Sequence, residues 1–304
     1  MTKNSDTVIA FYYQPGVTTR EASLLSNNLI RFSGHFNECL HWIFELPATQ
    51  PGAEIIPSNP NFIRFTPTIP AEADEFPFAN KVFIAAEAEL LADEALAPQL
   101  VWMDTDTLVI KEPQALILKE GVKIAIPPVH IQNISSRMDQ AADAYWQLIY
   151  SQCHVSKSHV FQMTTVVDKV QIRPHFNAGL FSVNPQAGIL RRWRDNFAAL
   201  YQDPRMLEFY QLDNRYKVYL HQAVLAATIL NICKRGEIKL LPNEYNFPLH
   251  LISRMDEQNK PAYLNELVTA RYDNLDESGW HEMLPIKEPF KSWLIDALQK
   301  TKSI

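Results

Sequence analysis

The sequence lacks the features that mark several classes of protein. Its 304 residues contain no apolar run near the roughly 18 residues that span a bilayer, and no strong basic run. A net charge of −6 argues against a surface that neutralises nucleic-acid phosphates. The opening stretch, MTKNSDTVIA, also lacks the basic and then apolar order of a signal peptide. We therefore expect a cytoplasmic protein with no membrane span and no nucleic-acid partner.

Cysteine and glycine are scarce where other functions would need them. Cys39, Cys153 and Cys233 are odd in number and widely spaced, which predicts buried thiols rather than disulfides or a metal site. After the first predicted strand, FYYQPGVTTREAS contains one glycine, whereas a phosphate-cradling loop is rich in glycine. This argues against a sugar-phosphate nucleotidyltransferase. It also argues against a dinucleotide-dependent dehydrogenase, because no G-x-G-x-x-G motif occurs.

What the sequence does contain is an alternation of strand and helix patterns. The stretch TVIAFYY (7–13) is rich in β-branched and aromatic residues and ends at a Pro-Gly turn. A helix is predicted from Thr18, because Thr18 and Glu21 have capping-box spacing and Gly34 stands where the helix would end. A second strand follows at 39–45. Strand, helix and strand in this order are the unit of a parallel sheet.

Similar patterns continue to the end of the chain. Further strands are predicted near 61–65, 100–110, 123–128, 177–185, 237–242 and 264–272, and further helices near 79–94, 135–151, 213–233 and 288–300, with one more opened by Pro185. Prolines recur between 47 and 77, which we interpret as a flap, and residues 275–304 form a predicted helical extension. The sequence thus predicts one α/β domain with a mixed, mostly parallel central sheet flanked by helices.

The central stretch LVWMDTDTLVI (100–110) carries two aspartates at the exit of an apolar strand. Ligands of open α/β sheets bind beyond the carboxyl ends of the strands, and residues i and i+2 of an extended segment point the same way. Asp104 and Asp106 would therefore present two carboxylates to one point, which is costly unless a positive charge lies between them. Mg²⁺ and Mn²⁺ prefer such carboxylate oxygens together with substrate phosphates. The alternative is a pair of solvated acids in a turn.

Three later segments accompany the D-x-D stretch, namely HFNAGLFSVNP (175–185), HQAVLAATILN (221–231) and LLPNEYNF (240–247). In this order the four segments resemble the D-x-D strand, the F-N-A/S-G strand, the D-Q-D-x-L-N helix and the L-P-x-x-[YW]-N segment of nucleotide-sugar glycosyltransferases of the retaining, glycogenin-like family. The resemblance covers about residues 77–250. It implies a single GT-A-like, Rossmann-like domain that transfers a sugar, with retention and with a metal ion, from a nucleotide-diphosphate donor to an unknown acceptor.

The resemblance also implies a set of site residues. Asp104 and Asp106 would hold Mn²⁺ or Mg²⁺ against the donor diphosphate, so that Asp106 would be a catalytic residue. Gln222 would lie beneath the anomeric carbon and stabilise the positive charge that develops there. The donor sugar would be contacted by Asn177, Ala178 and Gly179. Two of these positions also have a structural interpretation that involves no ligand. Asn177 could form a structural turn, and His221 and Gln222 could be a hydrogen-bonded polar pair in the core.

Other site residues are assigned by position. Tyr12 or Tyr13, at the end of the first strand, would stack on the nucleobase. Lys81, in the predicted helix before the D-x-D strand, would reach a phosphate. The family's third metal ligand is a histidine after its last core strand. The candidates here are Asp273 and His281, and the diphosphate would be faced by Arg271 or Lys287. Each of them is otherwise an ordinary helix or loop residue.

Two departures from the family pattern favour a rival interpretation. His221 and Ala223 stand where the family has aspartates on either side of Gln222, and the family's terminal histidine motif is missing. A non-catalytic protein that binds a nucleotide sugar or a partner on the same scaffold would explain both departures. Turnover of a nucleotide sugar distinguishes the two hypotheses, since a binding protein would hold the donor without consuming it.

Overall fold

The computed structural model describes residues 7–48, 56–276 and 279–302. The strands are β1 (Thr7–Tyr13), β2 (Leu40–Glu45), β3 (Phe62–Phe65), β4 (Gln99–Met103), β5 (Thr107–Val109), β6 (Ile124–Ile126), β7 (Met163–Thr164), β8 (Gln171–Ile172), β9 (Leu180–Val183), β10 (Ile238–Leu240), β11 (Phe247–Pro248) and β12 (Thr269–Arg271). The helices are α1 (Thr19–Phe32), α2 (Ala71–Asp74), α3 (Ala79–Glu94), α4 (Ala144–Gln152), α5 (Ile189–Leu200), α6 (Pro204–Leu212), α7 (Asn214–Val218), α8 (Leu220–Ile232) and α9 (Phe290–Lys302). Among the described residues, no helix combines the length and hydropathy that crossing a membrane would require.

The main sheet has seven strands in the order β10-β6-β9-β4-β1-β2-β3. Parallel pairing joins β1 to β2, β2 to β3 and β10 to β6, whereas β9 runs antiparallel to β6. The predicted α/β class with a mixed, mostly parallel sheet is therefore confirmed. By its internal contacts the chain divides into two compact units, which are described in turn. The prediction of a single domain stays a prediction.

The first unit contains the described residues up to Pro67, together with Val101–Ile117 and those from Pro242 onward. Its strand β1 is apolar and almost wholly buried, which is the burial pattern of a central strand covered on both faces. A second sheet has the order β11-β12-β5, with β12 antiparallel to β5. At the far end of α1, the ring of Phe32 contacts Phe290 and Trp293 of α9, with centroids 4.8 Å and 5.0 Å away.

The second unit contains Thr68–Leu100 and Leu118–Leu241. Helix α8 is apolar all round and buried from Leu220 to Leu230, as expected of a helix that runs through a core. Helix α5 begins against a buried acid of α3. The carboxylate of Glu89 accepts the backbone N–H groups of Leu190 and Arg191 at 3.0 Å and 2.9 Å, so it satisfies donors that the first turn of α5 leaves open.

Several predicted boundaries differ from the structure for local reasons. The helix predicted at 135–151 begins only after Asp143, whose side chain caps it by accepting the N–H of Trp146. Before that point Arg173 donates to the carbonyl oxygens of Arg137 and Gln140, which holds a non-helical loop. The predicted helix 213–233 is interrupted at Tyr219 into α7 and α8.

Other predictions were wrong or incomplete in detail. The capping box is wrong, because the hydroxyl of Thr18 accepts the N–H of Gln14 and makes no cap bond to its own helix. Helix α6 was missed, although Asp203 and Pro204 open it with a side-chain cap and a proline at the first position. The strand predicted at 264–272 is confined to β12. Of the predicted flap at 47–77, residues 49–55 lie outside the described residues, and the rest includes β3 and α2. Residues 277, 278, 303 and 304 of the predicted extension are likewise outside, and the rest includes α9.

Candidate active site

In the first unit, the two aspartates of the D-x-D motif lie on a tight turn between β4 and β5. The N–H of Thr107 donates to the carbonyl oxygen of Asp104 at 3.1 Å, which closes the turn. The premise of an extended segment is therefore wrong, and strand alternation gives no reason for the two side chains to point the same way. Both carboxylates nevertheless act on the same neighbours, since both raise the pKa of Tyr12 and of Arg271.

Arg271 is the charged partner of Asp106. Strand β12 places Arg271 opposite Thr107 in β5, so its side chain starts beside the aspartate turn. Its Nε lies 2.5 Å from Oδ2 of Asp106, and its Nη2 lies 3.3 Å from Oδ1 of Asp273. The side chains of Arg271 and Asp106 are only 17% and 13% exposed. Burial lowers the pKa of the guanidinium, but the carboxylates of Asp106, Asp104 and Asp273 outweigh it and raise that pKa overall.

Aromatic side chains surround the same turn. The indole N–H of Trp102 donates to Oδ1 of Asp104 at 3.1 Å, and the ring of Tyr12 has its centroid 6.1 Å from that of Trp102. Burial, and then the charges of Asp104 and Asp106, raise the pKa of the Tyr12 hydroxyl. Tyr13 is buried with only 4% of its surface exposed. Of the two tyrosines proposed to stack on a nucleobase, Tyr12 is therefore the one beside the aspartates with an accessible surface.

Tyr272 fixes the shape of the turn and was missed by the sequence analysis. Its backbone N–H donates to the carbonyl oxygen of Asp106 at 3.2 Å, and its hydroxyl donates to that of Thr105 at 3.1 Å. Its ring stacks on Trp280 with centroids 4.7 Å apart and planes 19° from parallel. Tyr272 lies far from the turn in sequence, so only the pairing of β12 with β5 could have revealed this contact.

The candidates for a third metal ligand differ in their surroundings. Asp273 is engaged with Arg271 and has a φ of 72°, while His281 lies 3.9 Å from Glu282 and edge-on to Trp280. Lys287 lies 3.7 Å from the ring centroid of Tyr263, whereas Arg271 is paired with Asp106. Within residues 7–48, 56–276 and 279–302, no three His, Cys, Asp or Glu side chains are grouped to hold a metal ion.

The donor set at the turn can therefore fit a divalent cation in one way. Mg²⁺ commonly takes one or two protein carboxylates and completes its shell with substrate phosphates and water. Asp104 and Asp106 are the two carboxylates of the turn, and both raise the pKa of Arg271 and of Tyr12. The carboxylate oxygen of Asp106 that faces Arg271 would have to change partner for a cation to bind there.

In the second unit, Gln222 lies at the start of α8 and is 8% exposed. Its neighbour His221 is stacked on Phe78, with ring centroids 4.3 Å apart, and its Nδ1 donates to the carbonyl oxygen of Val218 at 3.0 Å. Phe78 precedes α3 with a φ of 60°, which is uncommon for a residue with a side chain. The ammonium of Lys81 lies 5.0 Å from the Phe78 ring. The structure thus brings Lys81 and His221 together around Phe78, next to Gln222.

The Asn177-Ala178-Gly179 segment lies directly before β9 and is buried. The side-chain oxygen of Asn177 accepts the N–H of Gly179 at 2.8 Å, which is an Asx turn. The local structural role considered for Asn177 is therefore present. Contact of these three residues with a donor sugar stays a prediction, as do the proposed roles of Gln222, Lys81, Asp273 and His281.

Comparison with known proteins points to one family. A family model described as the Rhodobacterales glycosyltransferase domain matches residues 9–232. The comparison with curated proteins found no match.

Among solved structures, an active-site mutant of LgtC is 14% identical, with a TM-score of 0.47 and coverage of 91% of this chain and 93% of that one. The galactosyltransferase LgtC in complex with donor and acceptor sugar analogs is also 14% identical, with a TM-score of 0.47. The match covers 97% of this chain and 94% of that one. The glycosyltransferase GlyE of Streptococcus pneumoniae TIGR4 is 11% identical with a TM-score of 0.45, and the match covers 97% of this chain and 63% of that one.

Proposed function

This chain belongs to the Rhodobacterales glycosyltransferase domain family, and we propose that it transfers a sugar from a nucleoside-diphosphate donor to an acceptor with the help of a divalent cation. The observation that carries the proposal is the turn after β4. It gathers two carboxylates, a buried arginine and an aromatic ring around one point. Aromatic surface for a base and opposite charges for a metal–diphosphate are the chemistry that a nucleotide sugar requires.

The D-x-D turn and the residues around it would bind the nucleotide part of the donor. Asp104 and Asp106 would hold Mn²⁺ or Mg²⁺, and the cation would supply positive charge that stabilises the departing diphosphate. The guanidinium of Arg271 would add charge-assisted hydrogen bonds to phosphate oxygens, because its fork fits phosphate as well as carboxylate. Tyr12 would offer its ring to the nucleobase. Together these residues would bind the leaving group more strongly as its negative charge grows.

For the sugar part, the proposed contacts are those that the family resemblance implies. Gln222 has a neutral amide that can turn its oxygen towards positive charge without becoming a permanent ion pair. In the proposed reaction it stabilises the charge that develops at the anomeric carbon, and the configuration is retained. Asn177, Ala178 and Gly179 would contact sugar hydroxyls. Lys81, buried with 3% exposure beside Phe78, is the candidate for a phosphate contact.

The test is a panel of UDP-, GDP- and TDP-sugars with and without Mn²⁺. Thermal unfolding should shift upward for one donor in the presence of Mn²⁺, since a ligand that binds only the folded state stabilises it by mass action. The same donor should be consumed, and NMR of the product should show retention at the anomeric carbon. Binding without any turnover, of hydrolysis or of transfer, would instead favour the non-catalytic binding protein.

A role of Gln222 in the reaction step can be separated from donor binding. Replacing Gln222 by Ala should lower kcat by about a hundredfold, the scale of losing one group that stabilises transition-state charge. The dissociation constant of the donor should stay within about threefold, because the amide is proposed to act on the transition state. Equal losses in kcat and in affinity would mean that Gln222 only binds the donor. The matched control is Gln211→Ala, on the exposed side of α6.

A further inference from the structure

The ion pair between Arg271 and Asp106 stands where the proposed function needs a cation. The guanidinium Nε is 2.5 Å from the carboxylate Oδ2, and both side chains are largely buried. A buried, hydrogen-bonded pair of this kind is strongly coupled, because removal of one partner leaves the other charge uncompensated. A divalent cation that uses Asp106 as a ligand would have to compete with this guanidinium.

The charges around Arg271 leave room for such a replacement. Its guanidinium also lies 3.3 Å from the carboxylate of Asp273 and feels the charge of Asp104. More than one carboxylate thus acts on this single guanidinium, and a carboxylate attracts a divalent cation more strongly than a monovalent group at the same distance. Arg271 is anchored at its backbone by the pairing of β12 with β5, while its long side chain can turn.

We propose that Arg271 is a displaceable counter-ion, which holds Asp106 until a divalent cation takes its place and then turns towards the donor diphosphate. This inference rests on the proposed function, because it concerns the cation and the diphosphate of the same site. In the exchange each group that loses one partner gains another of opposite charge once the donor is bound. Asp106 changes a guanidinium for a metal ion, and the guanidinium changes a carboxylate for phosphate oxygens, which it binds with the same forked geometry.

The first experiment uses Mn²⁺ alone as the probe, with no nucleotide. Mn²⁺ is titrated into the full chain, and free Mn²⁺ is measured by electron paramagnetic resonance. The variant Arg271→Gln should bind Mn²⁺ at least tenfold more tightly than the wild type, because it removes a competing positive charge and the ion pair with the Asp106 carboxylate. Arg271→Lys keeps the charge and should bind Mn²⁺ more weakly than Arg271→Gln does. An affinity of Arg271→Gln equal to or below that of the wild type would overturn the proposal.

Two controls locate the effect at Asp106. Arg64→Gln removes the same charge from an arginine of the same unit, but its partner is Glu45, 3.2 Å away, and it should leave Mn²⁺ affinity within about twofold of the wild type. The double variant Arg271→Gln, Asp106→Asn should lose the gain of the single variant. A gain that persists without the Asp106 carboxylate would contradict the proposed competition.

A measurement on the wild type covers the case in which Arg271→Gln does not fold. The Nε–H of Arg271 gives its own signal in a ¹H–¹⁵N spectrum and is assigned with Arg271→Lys. Addition of diamagnetic Mg²⁺ should shift or broaden this signal at the same concentrations that saturate the site. An unchanged signal at saturation would refute the exchange.

The outcome is independent of catalysis. A protein that turns over none of the sugar nucleotides can still show the competition between Mn²⁺ and Arg271. Conversely, the protein could be a metal-dependent transferase whose Mn²⁺ affinity does not change in Arg271→Gln. That result would leave the proposed function standing and would refute the displacement of Arg271. The two failures are therefore distinguishable.

Discussion

The side chain of Asn28 in α1 pairs with both backbone groups of Val109 in β5. Its Nδ2 donates to the Val109 carbonyl oxygen at 2.8 Å, and its Oδ1 accepts the Val109 N–H. Asn28 is fully buried. This contact ties α1 to the strand that begins at Thr107, directly after the aspartate turn. The contact between Asn28 and Val109 therefore stabilises the candidate site, and we assign Asn28 no role in binding or catalysis.

Replacing Asn28 by Ala should lower the free energy of unfolding by about 3 kcal/mol, because it leaves a buried N–H and a buried C=O unsatisfied. Denaturant unfolding followed by circular dichroism measures the change. The matched control is Asn27→Ala. Asn27 is exposed and its side chain donates to the Ser23 carbonyl oxygen one turn back, so its loss should cost no more than about 0.5 kcal/mol. Equal effects of the two variants would contradict the role given to Asn28.

Helix α3 ends on a residue that the backbone disfavours. Leu96 has a φ of 57° and follows the last turn, where the N–H of Ala97 bonds the carbonyl oxygen of Ala92 at 2.9 Å. This is the position where glycine is preferred, since a Cβ is crowded in the left-handed region. The side chain is 77% exposed, so its removal costs little burial. Leu96→Gly should raise the free energy of unfolding by about 1 kcal/mol.

Leu90→Gly is the matched control in the same helix. Leu90 is also exposed but lies inside α3, where glycine costs about 1 kcal/mol in backbone entropy. The two substitutions should therefore change the denaturation midpoint in opposite directions. Destabilisation by both would mean that Leu96 is not strained.

The stability of the protein should fall as the pH drops through the range in which histidine titrates. Burial lowers the pKa of His175 from 6.5 to about 3, and its Nδ1 pairs with the hydroxyl of Ser135 at 2.6 Å. Between these values the unfolded chain binds a proton that the folded chain does not, so stability is fully present above 6.5 and is lost as the pH falls below it. Between pH values above 6.5 and about pH 5, the free energy of unfolding should fall by about 2 kcal/mol because of His175.

Denaturant unfolding at several pH values compares the wild type with His175→Gln. On going to about pH 5, the free energy of unfolding of the wild type should fall by about 2 kcal/mol more than that of the variant, because glutamine does not titrate. His41, whose pKa burial lowers to about 4, should behave in the same way when replaced by Gln. Parallel pH profiles for the wild type and His175→Gln would show that His175 is protonated in the folded protein.

The sequence predicted the fold where apolar patterns are continuous. Strand β1 and the strand of the D-x-D segment were identified because a continuous apolar run reflects burial on both faces of a strand. Helix α1 was identified because helical spacing of apolar residues reflects burial on one face of a helix. The position of Asp104 and Asp106 at the end of β4 follows from the same pattern. Boundaries failed where side chains intervene, as at Asp143, whose cap delays α4.

The pairings inside the candidate site could not be predicted in the same way. Arg271 and Asp106 are separated by 165 residues, and their contact depends on the register of β12 against β5. The sequence offered Arg271 and Lys287 as equal alternatives, and nothing in the local pattern distinguishes them. The stacking of Phe78 on His221 likewise needs a helix start at an uncommon φ, which no residue preference would predict for phenylalanine.

The most direct measurement is the affinity of the donor found in the sugar-nucleotide panel, by calorimetry with Mn²⁺. Asp104→Asn and Asp106→Asn should each weaken binding by at least a hundredfold, or about 3 kcal/mol, because each removes a charge that the cation requires. Asp139→Asn is the control, since Asp139 pairs with Arg137 on the surface and should leave the affinity unchanged. Undiminished donor affinity in both aspartate variants of the turn would contradict the account.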